Sequence, residues 1–243
     1  MVSGAESIDW NNYEAVLFDL DGVLTPTAKV HLEAWAASFN EFLKSEGIAG
    51  DFTDEDYFKY VDGRPRYEGV QGFLESRGVH LPAGELTDSP EERTVAGLGN
   101  KKNTKFAAIL EEQGVAPFPG SLALLDLLTT KSIALAVVSS SKNARAVLAS
   151  AGLIDRFAFI IDGEVAARRN LAGKPAPDTF LAAANDLNVA VLKTVVIEDA
   201  ILGVEAARAG DFGLVIGVDR GAGSQALLAA GADIVVNDLM ELL

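Results

Sequence analysis

Four short segments of the chain carry the residue types that phosphoryl chemistry uses: DLDGVLT at 19–25, SSS at 139–141, KPAPD at 174–178 and ED at 198–199. In the first, Asp19 and Asp21 stand at i and i+2, a spacing that turns both carboxylates to one side of a strand or tight loop. One carboxylate can attack phosphorus and form an aspartyl phosphate while its neighbour acts as general acid and base. Gly22 suits a chain that bends sharply after a strand. By itself the pair also fits an acidic calcium-type loop, but no further DxDxDG spacing follows it.

Glu198 and Asp199 follow the apolar run TVVI and raise the strand-end carboxylates to four. Mg²⁺ takes oxygen ligands, commonly one or two carboxylates with waters and a substrate phosphate. Alone, the same two residues also fit a cap on the following helix. Four acids in one crevice repel one another, so a metal together with Lys174 is the simplest way to balance them. Lys174 sits between Gly173 and Pro175, and Pro175 and Pro177 stiffen its loop before a helix near Asp178. A lysine held there can neutralise a transferring phosphoryl group; an isolated one would be an ordinary solvated loop residue. Ser139 ends the run IALAVV and can offer its hydroxyl and backbone N–H to phosphate at a helix start, or serve as a plain N-cap.

The elements that must position these residues are legible as apolar runs at Ala15–Phe18, Ile133–Ser139, Phe159–Ile161, Thr194–Ile197, Phe212–Ile216 and Asp233–Val236. Between them lie Ala/Leu-rich stretches with helical spacing, among them Asn143–Ala151, Thr179–Leu187 and Leu202–Ala209. Gly152 and Gly210 stand where helix C-caps want glycine. The alternation predicts an α/β fold whose parallel sheet is covered on both faces, with the four segments sharing the crevice at the strands' carboxyl ends. The stretch from about 28 to 113 breaks the pattern: it is aromatic and charged, helical at 30–44, 65–77 and 102–112, and shows no clear buried strand. We read it as a helical cap domain inserted after the first strand, with 1–27 and 114–243 forming the catalytic core domain. The segment 80–100 reads as a mobile surface loop.

Composition narrows the partners. The chain of 243 residues has a hydrophobic share of 49%, a charged share of 23% and a formal net charge of −15. That surface repels nucleic-acid phosphates and anionic membranes, and no basic stripe offsets it. No apolar run approaches the ~20 residues of a membrane helix. Cysteine is absent, which excludes disulfides and thiolate metal sites. With no basic-then-apolar start, the expected location is cytoplasmic, and the expected state a monomer or weak dimer. The run Gly221–Ala226 fits GxGxxA, yet it follows the fifth strand-like run instead of the first, which argues against a dinucleotide site.

Together and in this order the four segments resemble the haloacid dehalogenase superfamily of phosphotransferases. The resemblance implies a Rossmann-like core with a cap after the first strand. Asp19 would be the nucleophile and Asp21 the acid/base, Ser139, Ser140 and Lys174 would bind the phosphoryl group, and Asp19, Asp21 (through its carbonyl), Glu198 and Asp199 would hold Mg²⁺. FDLDGVLTPTAKVHLEAW, VVSSSKNA, AGKPAPDTF and VIEDAILGVEAARAG are similar to the β-phosphoglucomutase branch, which moves phosphate between C1 and C6 of glucose. On that likeness Arg66 and Ser141-Lys142-Asn143 would meet the distal phosphate, and His31, Lys102 and Asn103 the sugar phosphate. Arg66 also reads as a surface partner of a neighbour such as Glu68, and His31 as an ordinary helix histidine. Two positions depart from the branch: Pro26 stands between the hinge threonines in place of an aspartate, and Asp62 in place of a lysine before the cap arginine. The implied substrate is a hexose phosphate with a bisphosphate intermediate. A sugar-phosphate phosphatase using the same nucleophile, and a non-catalytic sugar-phosphate binder, are the alternatives.

Overall fold

The computed structural model describes residues 8–243. In chain order it runs through β1 (Ala15–Phe18), α1 (Thr27–Ser45), the short α2 (Asp54–Asp56), α3 (Arg66–Ser76), α4 (Val95–Gln113) and α5 (Pro119–Thr130). It continues through β2 (Ala134–Val138), α6 (Ala144–Ser150), β3 (Phe159–Ile161), α7 (Gly163–Arg169), α8 (Asp178–Asp186) and β4 (Thr194–Glu198). The order closes with α9 (Ile201–Ala209), β5 (Leu214–Val218), α10 (Ser224–Ala230) and β6 (Ile234–Val236). Two compact units result, Met1–Pro26 with Ala116–Leu243, and Thr27–Val115.

The first unit is a six-stranded sheet in the order β3-β2-β1-β4-β5-β6 with every ladder parallel. β1 and β4 are buried along their whole length, because helices cover both faces and leave no side for polar residues. Leu17, Val138, Phe180, Val196 and Val204 belong to one core cluster between sheet and helices. Strand order reverses direction on either side of β1, so the carboxyl ends of β1 and β4 flank the switch point where such sheets bind ligands.

The second unit is helical, with no strand among its described residues. Its aromatics form the core: Trp35 stacks on Phe39 at 4.9 Å, and Phe39 packs on Phe73 at 4.2 Å between ring centroids. A π-helical turn, Tyr57–Val61, follows α2.

Several boundaries differ from the sequence pattern. β5 starts at Leu214, later than the expected Phe212, because Phe212 turns its ring onto Phe180 at 6.1 Å before the strand begins. Helix α7 was not apparent from spacing. Its signal is Asp162, whose Oδ1 accepts from the amides of Glu164 and Val165. The expected mobile loop at 80–100 is instead tied down, and α4 begins inside it. The amides of Val95 and Ala96 donate to Pro82 and Ala83, the Asn100 side chain donates to the carbonyls of Leu86 and Asp88, and Thr94 caps the helix. At Gly97 the helix start packs on the loop itself, since a Cβ there would lie 2.2 Å from the Glu92 carbonyl oxygen. No helix among the described residues is long and apolar enough to cross a membrane.

Candidate active site

Within the sheet unit, the strand ends bring Asp19, Ser139, Glu198 and Asp199 together with a lysine from the loop before α8. Asp19 is still in the ladder, its amide donating to Ile197 at 2.9 Å, so its carboxylate leaves the sheet where β1 ends. Lys174 Nζ donates to Asp19 Oδ1 at 2.6 Å, to the Val138 carbonyl at 3.4 Å, and to Glu198 Oε1. Only 3% of Lys174 is exposed, and its Nζ lies 5.1 Å from the centre of the Phe180 ring. The solvated-lysine reading therefore fails: this ammonium is a fixed element of the cluster.

The two acids of the ED pair do different things. Glu198 is fully buried and gives Oε1 to Lys174 and Oε2 to the Ala200 amide at 2.9 Å. Helix α9 closes directly over it, since a Cβ on Gly203 would meet Glu198 Oε1 at 1.9 Å. Asp199 reaches the other way, to the loop after β1: a Cβ on Gly22 would meet its Oδ2 at 1.8 Å. Gly22 also has φ +85°, so neither the backbone nor the space there admits a side chain. The two acids that the resemblance assigns to a metal thus have different partners within the protein. Glu198 holds Lys174 and the start of α9, and Asp199 is the member turned to the Asp19–Asp21 loop.

Ser139 does not cap the helix after β2. Its Oγ accepts from the Ser141 amide at 3.1 Å, and Ser141 Oγ accepts in turn from the Asn143 amide at 3.1 Å. Two nested turns thus shape Ser139, Ser140, Ser141, Lys142 and Asn143 before α6 starts at Ala144. The β3–α7 junction braces them: Gly163 N–H donates to the Ser141 carbonyl at 3.2 Å, and buried Asp162 pairs with Arg145 at 3.2 Å. Neither Asp162 nor Arg145 stood out in the sequence. The Asp162–Gly163–Glu164 cap signal was the available clue.

In the helical unit the expected substrate residues form two pairs, each with one member on α4: Asn103 with Arg66 of α3, and Lys102 with His31 of α1. Arg66 Nη2 donates to Asn103 Oδ1 at 2.7 Å. Lys102 is 3% exposed, with Nζ 2.5 Å from His31 Nδ1 and about equally near two rings, 5.0 Å from Trp35 and 4.8 Å from Phe106. A lysine ammonium only donates, so Nδ1 is the accepting nitrogen of His31. His31, on helix α1, is thus part of a polar pair inside an aromatic cluster.

The haloacid dehalogenase-like hydrolase family model matches residues 13–211, a stretch that takes in all four motif segments. The chain belongs to the haloacid dehalogenase-like family. It is 46% identical over 239 residues to the β-phosphoglucomutase of Mycobacterium bovis, covering 94% of this chain and 91% of that protein. Among solved structures it resembles β-phosphoglucomutase from Clostridium difficile, with TM-score 0.76 and 28% identity over 95% of this chain and 93% of the other. CbbY from Rhodobacter sphaeroides, solved with xylulose 1,5-bisphosphate, superposes with TM-score 0.75 at 25% identity, covering 95% and 96% of the two chains. The chain is thus a haloacid dehalogenase-like enzyme of the β-phosphoglucomutase branch.

Burial and charge together set the electrostatics of this haloacid dehalogenase-like site. Burial pushes the Asp19 carboxyl well above its ordinary value; Lys174 opposes the rise, and Glu198 and Asp21 add to it. Burial alone disfavours the Lys174 ammonium, but Asp19 and Glu198 together outweigh burial and hold it above the usual lysine value. Burial is thus the main cause of the Asp19 rise, and the two neighbouring carboxylates are the cause of the Lys174 rise. Among the described residues no group of three or more acidic or histidine side chains is arranged around a common centre to hold a metal, since Lys174 stands between Asp19 and Glu198. The donors are nevertheless hard oxygens in a charge-deficient pocket, the chemistry a small divalent cation such as Mg²⁺ fits.

Proposed function

We propose that the enzyme interconverts β-glucose 1-phosphate and glucose 6-phosphate by phosphoryl transfer through an aspartyl phosphate on Asp19. The observation carrying the phosphoryl chemistry is the buried Lys174 bridging Asp19 and Glu198 beside the Asp21–Gly22 loop. The specific substrate rests on 46% identity, nearly end to end, with a protein named β-phosphoglucomutase.

In this reading an Asp19 oxygen attacks a phosphorus of the hexose bisphosphate, and the ester P–O bond breaks. The leaving sugar oxygen takes a proton from Asp21. The incoming hexose phosphate then gives its hydroxyl proton to Asp21 and attacks the aspartyl phosphate, returning the phosphoryl group to sugar. Lys174 neutralises charge on the nucleophile and on the transferring group. Ser139 and Ser140 would donate to the phosphoryl oxygens. Arg66 with Asn103, Lys102 with His31, and the Ser141-Lys142-Asn143 run would recognise the sugar and its second phosphate. Asp19, Asp199 and the main chain of Asp21 would hold Mg²⁺, which when bound adds positive charge where phosphoryl charge develops.

A phosphatase reading keeps the nucleophile and differs only in letting water accept the phosphoryl group. Asp62, an acid shortly before Arg66, favours it by weakening attraction for a doubly phosphorylated sugar. The deciding assay supplies β-glucose 1-phosphate, Mg²⁺ and trace β-glucose 1,6-bisphosphate, and follows glucose 6-phosphate and inorganic phosphate separately. Glucose 6-phosphate without stoichiometric phosphate is expected. Phosphate alone would overturn the mutase reading.

A further inference from the structure

The loop that joins Asp21 to the helical unit is held by three donors from distant parts of the sheet unit. The carbonyls of Gly22, Val23 and Leu24 accept, in turn, from Arg220 Nε at 2.8 Å, Ser121 Oγ at 2.7 Å and the Phe118 amide at 3.0 Å. Inside the loop, Gly22 N–H donates to the Thr25 carbonyl at 2.8 Å. Gly22 is therefore fixed from both sides, and with it the orientation of the Asp21–Gly22 peptide.

Arg220 is the unusual member of this set. Six other arginines pair with carboxylates: Arg77, Arg93, Arg145, Arg156, Arg169 and Arg208. Among the described residues Arg220 pairs with none, although the chain has 35 acidic residues. Its Nε and Nη1 go to the carbonyls of Gly22 and Asn237, each at 2.8 Å. The guanidinium lies 4.1 Å over the Phe118 ring, and Nη2 is buried without a hydrogen-bond partner among the described residues. A buried donor without an acceptor costs stability, so stability alone does not account for an arginine here. The local sequence aims it. Asp219 Oδ1 accepts from the amides of Gly221 and Gly223 and Oδ2 from Ser224 Oγ, folding the glycine-rich run that looked like a nucleotide motif into a tight turn.

We infer that Arg220 is a positioning residue, which acts through the Gly22 carbonyl to fix Asp21 for proton transfer to the leaving sugar oxygen. The inference rests on the proposed acid role of Asp21. It also explains why the glycine turn after β5 has its shape: the turn delivers a guanidinium to the nucleophile loop.

The test compares Arg220→Ala and Arg220→Lys with the wild type on two phosphoryl donors in Mg²⁺. A sugar phosphate has a poor leaving group that needs an acid, whereas 4-nitrophenyl phosphate leaves without one. Removing well-placed acid catalysis forfeits about 10²-fold or more, so a displaced acid should lower kcat on the sugar phosphate by roughly 10- to 100-fold. On the aryl ester the change should stay under about threefold, with KM little altered for either donor and Arg220→Lys intermediate. Hydrogen–deuterium exchange without substrate is the independent readout. The amides of residues 22–25 should exchange about tenfold faster in Arg220→Ala, matching the loss of a charge-assisted hydrogen bond, while β1 and β4 stay protected. Equal losses on both donors, no loss on either, or unchanged exchange at 22–25 would each overturn the inference. Failure of the wild type on sugar phosphates would sink the proposed function and leave the exchange result standing. If Arg220→Ala does not fold, Arg220→Lys carries both measurements.

Discussion

Lys174 and Asp19, 155 residues apart in the chain, meet at 2.6 Å with almost no access to solvent. That contact makes Lys174 both a charge partner for the nucleophile and a structural cation, because it neutralises buried Glu198 as well. Losing it therefore has two separable consequences, one chemical and one thermodynamic.

The thermodynamic one is testable with Lys174→Met. Removing one partner of a buried ion pair leaves an uncompensated charge and costs about 3–5 kcal/mol. Urea denaturation at pH 7 should show a loss of that size, with much of it recovered in the double variant Lys174→Met/Glu198→Gln. No recovery would mean that Glu198 is not the charge left exposed to burial.

Asp19→Asn preserves shape and removes the nucleophilic oxygen. Turnover should fall by on the order of 10⁴-fold or more, as when other enzymes lose a nucleophile. Labelled phosphate should no longer become trapped on the protein after acid quench. A variant that still forms the phosphoprotein would move the nucleophile elsewhere.

The ED pair predicts an asymmetry. Asp199→Asn should weaken Mg²⁺ binding, read by calorimetry or by the metal-induced rise in melting temperature, by about tenfold or more. Glu198→Gln should leave Mg²⁺ binding within a few fold and instead lower the melting temperature, because it loosens Lys174 and the Ala200 amide. The reverse order would return Glu198 to the metal and overturn the assignment made from its contacts.

Arg66→Ala removes the guanidinium that Asn103 holds. A lost charge-assisted contact is worth about 1.5–3 kcal/mol, so kcat/KM for the hexose phosphate should fall by roughly 10- to 100-fold. Hydrolysis of 4-nitrophenyl phosphate should be unchanged. An equal fall on both substrates would show that the helical unit takes part in the chemistry itself.

Asp56 should make the helical unit acid-sensitive. Burial alone would raise its carboxyl, but Arg77 at 2.6 Å and the Thr53 amide and hydroxyl outweigh burial and set it below its ordinary 3.8. A carboxyl lowered on folding adds stability above that ordinary value and loses it as pH falls through the lowered one. Asp56→Asn should therefore cost about 1 kcal/mol at pH 7, typical of a lost helix cap, and the gap from wild type should close as pH drops below 3.8. A gap that persists in acid would assign the cost to packing.

Residue type and local period settled more of this protein than its contacts would lead one to expect. Short apolar, β-branched runs alternating with helical stretches read as buried strands of a parallel sheet, and such a sheet gathers its strand ends at one edge, where Asp19, Ser139 and Glu198-Asp199 follow β1, β2 and β4. Those are short-range facts, carried by neighbours within a few residues. Where the sequence reading failed, the deciding partner was distant. The segment 80–100 reads as a mobile loop until Pro82 and Ala83 are found accepting from Val95 and Ala96, and Asn103, brought beside Arg66 by α4, is a partner 37 residues away. Only the tertiary structure separated Glu198 from Asp199, because adjacent residues at a strand end point in different directions and their packing partners, Gly203 and Gly22, come from different elements. Arg220 stands at a local turn signal, Asp219 with the glycines that follow, but nothing local names its partner. Its role is written in a carbonyl 198 residues earlier in the chain, and no pattern within a few residues records such a contact.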